Sequence, residues 1–321
     1  MNLADASLTL VYGAMAAYTV AMIAFGIDLA GYRGRAGRIG MSVTWAAFAL
    51  HLAGTVLRGI AAGRVPWANM YEFTLTFTCV AVAVFLILTR TRPLEALGVF
   101  VTFAALVSLG IAVAVLYVKV AGTPPILDSY WLVIHVVTAV IATGLFTFAA
   151  LLAFFQLATS RKNKRRSAPK RAEEPVGVAA DTDRRIAERL THEETAAGPE
   201  TVSVAPAGRF SRLITALPDP KTLEENSFRI TVIGFILWTF TLIAGAVWAA
   251  HAWGRAWNWD PKETMSLVVW FVYAAYLHAR STRGWSGRRA AWLCLLGFVV
   301  LMLNYYAVNF LADSRHAYTG L

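Results

Sequence analysis

The most restrictive feature of this sequence is a series of eight apolar stretches, each close in length to a membrane-spanning helix. A bilayer core about 30 Å thick is crossed by roughly 20 apolar helical residues. Lipid leaves every unpaired backbone group unsatisfied, so a chain crosses it as helices or as a closed barrel. The stretches cover 8–29, 41–60, 71–89, 95–118, 130–157, 230–250, 262–279 and 290–311. The sequence therefore predicts an all-α polytopic membrane protein with about eight transmembrane helices.

The overall composition agrees with a lipid environment. Of 321 residues, 58% are hydrophobic and 15% are charged, whereas a soluble domain has about 45–50% apolar and about 25% charged residues. An ordinary soluble domain, a disordered tail and a disulfide-stapled secreted module are thereby excluded. The net charge of +10 does not indicate nucleic-acid binding, because basic residues of membrane proteins gather in cytoplasmic loops.

The distribution of Lys and Arg predicts the orientation of the spans. If the spans alternate, the loops on one side of the membrane hold 23 of the 29 Lys and Arg residues. When residues 158–229 are left out, that side still has 9 basic residues and the other side has 6. The positive-inside rule places that side in the cytoplasm. Arg33, Arg35 and Arg38 follow the first apolar stretch, which is typical of an anchor and not of a cleavable signal peptide. Both termini are therefore predicted on the outer side.

Three segments organise the chain. Residues 1–157 are predicted to hold spans one to five, and residues 230–321 hold spans six to eight with an outer tryptophan-rich loop at 248–264. Residues 158–229 begin with a run of Lys and Arg, nearly balance acidic with basic residues and contain no long apolar face. Such a composition predicts a flexible cytoplasmic linker.

The tryptophan loop carries the most unusual composition. Residues 247–264 read VWAAHAWGRAWNWDPKET and contain Trp248, Trp253, Trp257 and Trp259. One interpretation is an interfacial belt, since Trp favours headgroup depth. The other is a surface for a large flat apolar ligand, on which each stacked ring adds about 0.5–1.5 kcal/mol. In that case Arg255 and Lys262 would pair with acidic groups at the ligand edge. Composition leaves both interpretations open.

Two outer segments carry helix-start signals. In Asp260-Pro261-Lys262-Glu263, Asp suits the N-cap, Pro the first helical position, and Glu reaches back to the cap amide. The segment 69–72, Asn-Met-Tyr-Glu, repeats this logic at the start of the third span. These patterns predict helix starts, so Asp260 needs no catalytic role.

Histidine is the second unusual feature. His51, His135 and His278 lie in or at the ends of predicted spans, where ionisable residues are expensive and often functional. His316 follows the last span, and His251 lies in the tryptophan loop. For a single His, a hydrogen bond to a helix carbonyl is the simpler interpretation. As a set, His135 and His316 on the outer side fit the two axial positions that a porphyrin leaves on a haem iron.

Other classes of site remain for comparison. A structural zinc site normally uses four closed ligands and gains nothing from tryptophans, and no nucleophile motif supports a Ser-His-Asp hydrolase. Proton or ion transport stays an alternative, because intramembrane histidines also form relays. There is no matched pair of Gly/Pro-broken spans, which would indicate a midplane substrate site.

Several motifs together resemble one family. The stretch WGRAWNWDPKET at 253–264 resembles the tryptophan-rich (WWD) signature of haem-handling cytochrome c assembly proteins. The chain is most similar to the CcsA/ResC branch, a subunit of the two-component (system II) cytochrome c synthase. RVPWANMYEF at 64–73, YLHARSTRGW at 276–285 and VNFLADSRHAY at 308–318 stand in the family's order and spacing. The resemblance covers the whole chain except residues 160–227.

The resemblance implies a subunit of a cytochrome c haem lyase (holocytochrome c synthase) complex. Such a protein would move haem b, its substrate and bound ligand, from the cytoplasmic side and present it outside. There the haem would be attached through thioethers to Cys-x-x-Cys-His motifs of apocytochrome c. The resemblance also implies a CcsB/ResB-type partner subunit and a multi-pass position in a bacterial plasma membrane. A haem transporter or haem-delivery chaperone without ligation activity is the alternative.

The resemblance also assigns residues. It implies that His135 and His316 ligate the presented haem iron, and that His278 belongs to an inner haem site whose other ligand comes from the partner. His51 is a weaker candidate for that inner site. The remaining haem-contacting residues would come from the tryptophan loop: Trp253, Trp257, Trp259, Asp260, Arg255 and Lys262.

Overall fold

The computed structural model of the chain describes residues 2–30, 35–120, 129–166 and 217–312, with side chains except at 161–166. Every regular element within these ranges is helical. Seven of the described helices are long and apolar enough to cross a membrane. The prediction of an all-α polytopic membrane protein is confirmed.

The helices of the described ranges are labelled in chain order. They are α1 (Leu3–Leu29), α2 (Arg35–Ala62), α3 (Met70–Leu88), α4 (Gly98–Ala114) after a 3-10 turn at Glu95–Leu97, α5 (Tyr130–Arg166), α6 (Pro220–Trp253), α7 (Pro261–Arg283), α8 (Arg288–Met302) and, after a π-helical turn at Leu303–Ala307, the short α9 (Val308–Leu311).

Helix α7 differs from the other predicted spans. It contains 23 residues and includes the predicted seventh span, 262–279, but it is not among the seven helices whose hydropathy alone suits a bilayer. Charged residues at both of its ends, among them Lys262 and Arg280, lower its mean hydropathy. Its membrane crossing, the count of eight and the outer position of both termini stay predictions.

The boundaries of the predicted linker differ from those of the helices. Helix α5 continues to Arg166 and α6 begins at Pro220, so 158–166 and 220–229 are helical, whereas residues 167–216 lie outside the described ranges. Helix α6 starts early because the Asp219 carboxylate accepts the backbone N–H groups of Lys221 and Thr222, both at 3.0 Å. Hydrogen bonds from Thr222 hold the pKa of Asp219 below its usual value.

Two helix pairs, α1 with α2 and α5 with α6, have the most extensive contacts. Small residues allow close approach of membrane helices, and the Ser7 hydroxyl of α1 donates to the Gly54 carbonyl of α2 at 2.7 Å. Phe146 of α5 stacks on Tyr273 of α7 with ring centroids 3.8 Å apart. Helix α7 is thereby held against the α5–α6 pair.

A polar network joins the ends of α5 to α8 that are predicted to face the cytoplasm. The Glu224 carboxylate of α6 forms a salt bridge with Arg280 of α7. It also accepts the amide of Gln156 and the backbone N–H of Gly287, each at 3.0 Å. One carboxylate therefore connects four helices at the end opposite the tryptophan loop.

Candidate functional site

A large cavity opens beside the tryptophan loop, between α3, α5, α6, α7 and the π-helical turn. Its empty volume is about 1200 Å³, a figure that includes open space in front of it. Six aromatic residues line it: Trp67, Phe73, Trp238, Trp248, Trp257 and Tyr305. We call it the aromatic cavity. Its aromatic walls suit a flat apolar molecule.

His135 lines the aromatic cavity and is held there by α6. Its Nδ1 lies 2.8 Å from the Thr241 carbonyl oxygen, and its ring lies nearly parallel to the Trp248 indole, at 15° and 6.5 Å. Gly245 leaves room for the imidazole, since a Cβ there would lie 2.7 Å from Nδ1. A carbonyl can only accept, so Nδ1 carries the hydrogen and Nε2 holds the lone pair of the neutral ring. This is the tautomer of a metal-ligating histidine whose second nitrogen is fixed by the protein.

The tryptophan loop is shaped by turns at both ends. Helix α6 stops at Gly254, whose φ of 70° is left-handed. Helix α7 starts with a complete capping box: Asp260 caps it, and Glu263 accepts the backbone N–H groups of Asn258 at 2.8 Å and Asp260 at 3.2 Å. The predicted helix start at Asp260 is confirmed. Trp259 has a φ of 56°, a left-handed conformation that costs about 1–3 kcal/mol and is often found at functional sites.

The four tryptophans of the loop have different surroundings. Trp248 and Trp257 line the aromatic cavity. Trp253 packs edge-on against Trp248 at 4.8 Å, and Trp259 packs edge-on against Trp257 at 5.8 Å. Trp259 is 70% exposed, and Arg255 is exposed as well. Of the three tryptophans predicted to contact haem, Trp257 lines the cavity, whereas Trp253 and Trp259 do not; Trp248, which was not in that set, forms part of the wall.

Lys262, a half-buried residue, lines the aromatic cavity. Its Nζ donates to the Asn304 carbonyl at 2.7 Å and to the Asn309 side-chain oxygen at 3.3 Å. It also lies 5.9 Å from the centre of the Tyr305 ring. Within the described residues Lys262 forms no salt bridge. Its side-chain hydrogen bonds thus go to neutral oxygens, while the Asp260 carboxylate interacts with it electrostatically.

The π-helical turn supplies residues that the sequence did not single out. Asn304, Tyr305 and Asn309 line the aromatic cavity from the last predicted span. The Tyr305 hydroxyl donates to the Met70 carbonyl at 2.8 Å, which connects this turn to the start of α3. Single π-helical turns are frequent at functional sites. The signal available in the sequence was two asparagines within an otherwise apolar stretch.

A buried ion cluster supports the wall formed by the segment 64–72. Glu72 is fully buried and accepts Arg58 Nε at 3.0 Å and Arg64 Nη1 at 2.7 Å. It also accepts the backbone N–H of Ala68 at 3.0 Å. The predicted cap is confirmed, because Asn69 accepts the Glu72 backbone N–H at 2.9 Å. The cluster fixes the backbone that brings Trp67 into the cavity.

The other histidines lie elsewhere. Among the described histidines, His135 alone lines the aromatic cavity. His51 is buried in α2 with its Nδ1 3.4 Å from the Tyr18 hydroxyl. His278 has an exposed side chain on α7, and the exposed His251 bonds the Val247 carbonyl at 2.7 Å. His316 lies in 313–321, outside the described residues, so its pairing with His135 stays a prediction.

Comparison with known proteins gives consistent matches. A family model described as cytochrome C assembly protein matches residues 67–316. The cytochrome c biogenesis protein CcsA of Gloeobacter violaceus is 36% identical over 281 residues, covering 82% of this chain and 81% of the relative. The CcsA protein of Thermosynechococcus vestitus is 36% identical, and the match covers 88% of this chain and 86% of the relative. The CcsA protein of a Synechococcus species is 33% identical, and the match covers 91% of this chain and 87% of the relative.

A solved structure described as the cytochrome c haem lyase CcmF has a similar fold. It superposes on all of this chain with a TM-score of 0.65 at 15% sequence identity. This chain spans 49% of the length of that structure. At this identity the likeness concerns the helical architecture.

Proposed function

This chain belongs to the cytochrome c assembly protein family and acts in cytochrome c biogenesis, and on that premise we propose that the aromatic cavity binds haem. His135 would be one axial ligand of the iron. The bound haem, of the b type, would be presented on the outer side for thioether attachment to apocytochrome c. In this role haem is the substrate, and the chain holds and orients it.

The observation that carries the proposal is the setting of His135. The contact between His135 Nδ1 and the Thr241 carbonyl holds the imidazole in one orientation and one tautomer. The same imidazole lines a cavity that six aromatic side chains also line. These features are what a flat metalloporphyrin requires of a protein: apolar faces for the ring and an oriented nitrogen for the iron.

The chain's own residues would supply position and exclude water. Trp248 and Trp257 provide apolar surface against the porphyrin, and Gly245 keeps the His135 imidazole close to α6. Holding the porphyrin in one orientation makes its vinyl groups accessible to two incoming thiols, which turns a bimolecular encounter into an effectively unimolecular one. The thioether chemistry itself belongs to the haem vinyl groups and the apocytochrome cysteines.

His316 is proposed as the second ligand of the same haem. Asn309, at the cavity wall, precedes His316 by seven residues in the sequence. An extended chain covers at most about 3.3–3.6 Å per residue, so a segment of this length reaches across a porphyrin. His278, with His51 as the weaker candidate, is proposed for a separate inner site completed by a CcsB/ResB-type partner. We further propose a bacterial plasma membrane location with the tryptophan loop outside.

The test is a maturation assay in cells that produce the full chain, the CcsB/ResB-type partner and a reporter apocytochrome c. His135→Ala should abolish or strongly reduce holocytochrome formation and reduce the haem b that co-purifies with the chain. The matched control is His251→Ala, an exposed histidine of the same loop region that does not line the cavity. Normal maturation and normal haem content in His135→Ala would refute the assignment.

The same assay separates the synthase subunit from a transporter or delivery chaperone. Covalent haem on the reporter, formed by the purified complex of the two subunits, supports a subunit of a haem lyase. If haem reaches the outer face while the reporter stays unmodified by that complex, the chain is a transporter or chaperone.

A further inference from the structure

Two threonine hydroxyls meet between α5 and α6, close to His135. The Thr241 hydroxyl of α6 lies 2.9 Å from the Thr138 hydroxyl of α5, and both residues are buried. We propose that this hydroxyl pair positions the His135 imidazole, so that Thr138 and Thr241 are positioning residues for the bound haem. The proposal rests on the proposed function and deepens it, because it assigns the residues that set the geometry of the iron ligand.

One hydrogen bond joins the two hydroxyls. Each of them also lies near a carbonyl of its own helix: Thr138 is 2.9 Å from the His135 carbonyl oxygen, and Thr241 is 2.9 Å from that of Leu237. A carbonyl can only accept. Two hydroxyl oxygens 2.9 Å apart repel each other unless a hydrogen lies between them, so one threonine donates to its own helix and the other donates across. The pair therefore connects α6 to the helical turn that carries His135.

Thr241 contacts His135 with its backbone as well. Its carbonyl oxygen lies 2.8 Å from His135 Nδ1. In an α-helix the carbonyl of one residue points toward the residue four positions later, which here is Gly245, and a side chain at Gly245 would collide with the imidazole. Position 241 thus fixes the ring of His135 through its carbonyl and the backbone turn of His135 through its hydroxyl.

A hydrogen bond between membrane helices can also serve packing alone. The α5–α6 pair has such a bond near its other end, where the Ser227 hydroxyl donates to the Ala149 carbonyl at 2.9 Å. Ser227 and Thr241 are separated by about 21 Å along α6 at 1.5 Å per residue, and Ser227 does not line the aromatic cavity. The same helix pair therefore provides a matched comparison for the bond beside His135.

Thr138 gives the sharper test of the two threonines. It does not line the aromatic cavity, whereas Thr241 does, so an effect of Thr138 on bound haem passes through His135. Without the hydroxyl bond, the turn that carries His135 can shift, and the contact between Nδ1 and the Thr241 carbonyl lengthens. A weaker hydrogen bond at Nδ1 makes the imidazole a poorer electron donor to the iron. The ferric state is then less stabilised, and the reduction potential of the haem rises.

The experiment uses the full chain purified with its CcsB/ResB-type partner. The haem signal that His135→Ala removes is the one followed, which separates it from haem bound elsewhere in the complex. Four quantities are measured: the haem content, the reduction potential by spectroelectrochemical titration, the electron paramagnetic resonance spectrum of the ferric haem, and the temperature of thermal unfolding.

Thr138→Val and Thr241→Val each remove a hydroxyl and keep the branched shape. Each should weaken haem binding at least about twofold, shift the potential to more positive values and change the ferric spectrum. The double variant should shift the potential no further than the larger single variant, because both remove the same bond. Thr138→Ser and Thr241→Ser keep the hydroxyl and should retain the wild-type potential. Ser227→Ala is the matched control and should lower the unfolding temperature without moving the potential.

The outcomes separate this proposal from the proposed function. Wild-type potential and spectrum in the Val variants would overturn the positioning role while leaving His135 as a ligand. So would Ser variants that shift as far as the Val variants, or an equal shift in Ser227→Ala. The Val variants remove the bond from opposite sides, so either one decides if the other folds poorly. If His135→Ala removes no haem signal, the proposed function fails, and this proposal fails with it.

Discussion

The close packing of His135 of α5 against Gly245 of α6 makes Gly245→Ala the most informative substitution. A Cβ at this position would lie 2.7 Å from His135 Nδ1 and 2.8 Å from Cε1, closer than real Cβ contacts occur. The imidazole must therefore move away from α6. The hydrogen bond between Nδ1 and the Thr241 carbonyl, 2.8 Å long, is lengthened or lost as it moves.

The magnitude follows from three opposing contributions to the free energy of unfolding. Overpacking costs about 1–3 kcal/mol, and the lost hydrogen bond costs about 0.5–1.5 kcal/mol. Ala in place of Gly within a helix returns about 1 kcal/mol. The net destabilisation is about 0.5–3.5 kcal/mol. If only the hydrogen bond orients the ring toward iron, haem binding weakens about two- to thirteenfold.

The assay measures the Soret absorbance of the purified variant, with and without free imidazole, beside its thermal unfolding. The matched control is Gly234→Ala on the same helix, where the new Cβ would lie 2.9 Å from the Phe146 ring and away from His135. Both variants should lose stability, whereas only Gly245→Ala should lose haem and regain it with imidazole. A Gly245→Ala protein with the wild-type spectrum, or equal haem loss in the two variants, would refute the reasoning.

Two further predictions concern the supports of the cavity. Glu72→Ala leaves Arg58 buried without its carboxylate partner. The free energy of unfolding should fall by about 3–5 kcal/mol, and the unfolding temperature should fall with it. An unchanged unfolding temperature would contradict the role of this cluster. Glu263→Ala removes the acceptor of the Asn258 and Asp260 amides, which should cost about 0.5–2 kcal/mol. Hydrogen exchange in residues 254–260 should then become faster than in the wild type, and unchanged exchange would show that the cap does not hold the loop.

The helical fold was predictable because its determinants are local. A run of about twenty apolar residues specifies a membrane helix by length alone, and α1 to α6 and α8 follow such runs. The helix starts at Asn69 and Asp260 were predictable for the same reason, since a cap and its partner lie within four residues. Helix α7 has polar ends, so hydropathy does not assign it to the membrane.

The composition of the cavity wall was only partly predictable, because it depends on contacts between distant segments. The sequence does not reveal that Trp257 faces the cavity while Trp259, two residues later, is exposed. It contains no periodic signal for a π-helical turn, which places Asn304 beside Lys262. The role of Gly245 depends on an imidazole more than a hundred residues away in the chain. Burial and tertiary contacts, not local pattern, determine these features.

The most direct test of the central claim is the spin state of the bound ferric haem, measured by electron paramagnetic resonance on the full chain purified with its partner. Ligation by His135 predicts a low-spin signal in the wild type. In His135→Ala a high-spin signal should appear and return to low spin when imidazole is added. A low-spin signal that is the same in His135→Ala and in the wild type, without added imidazole, would contradict the account.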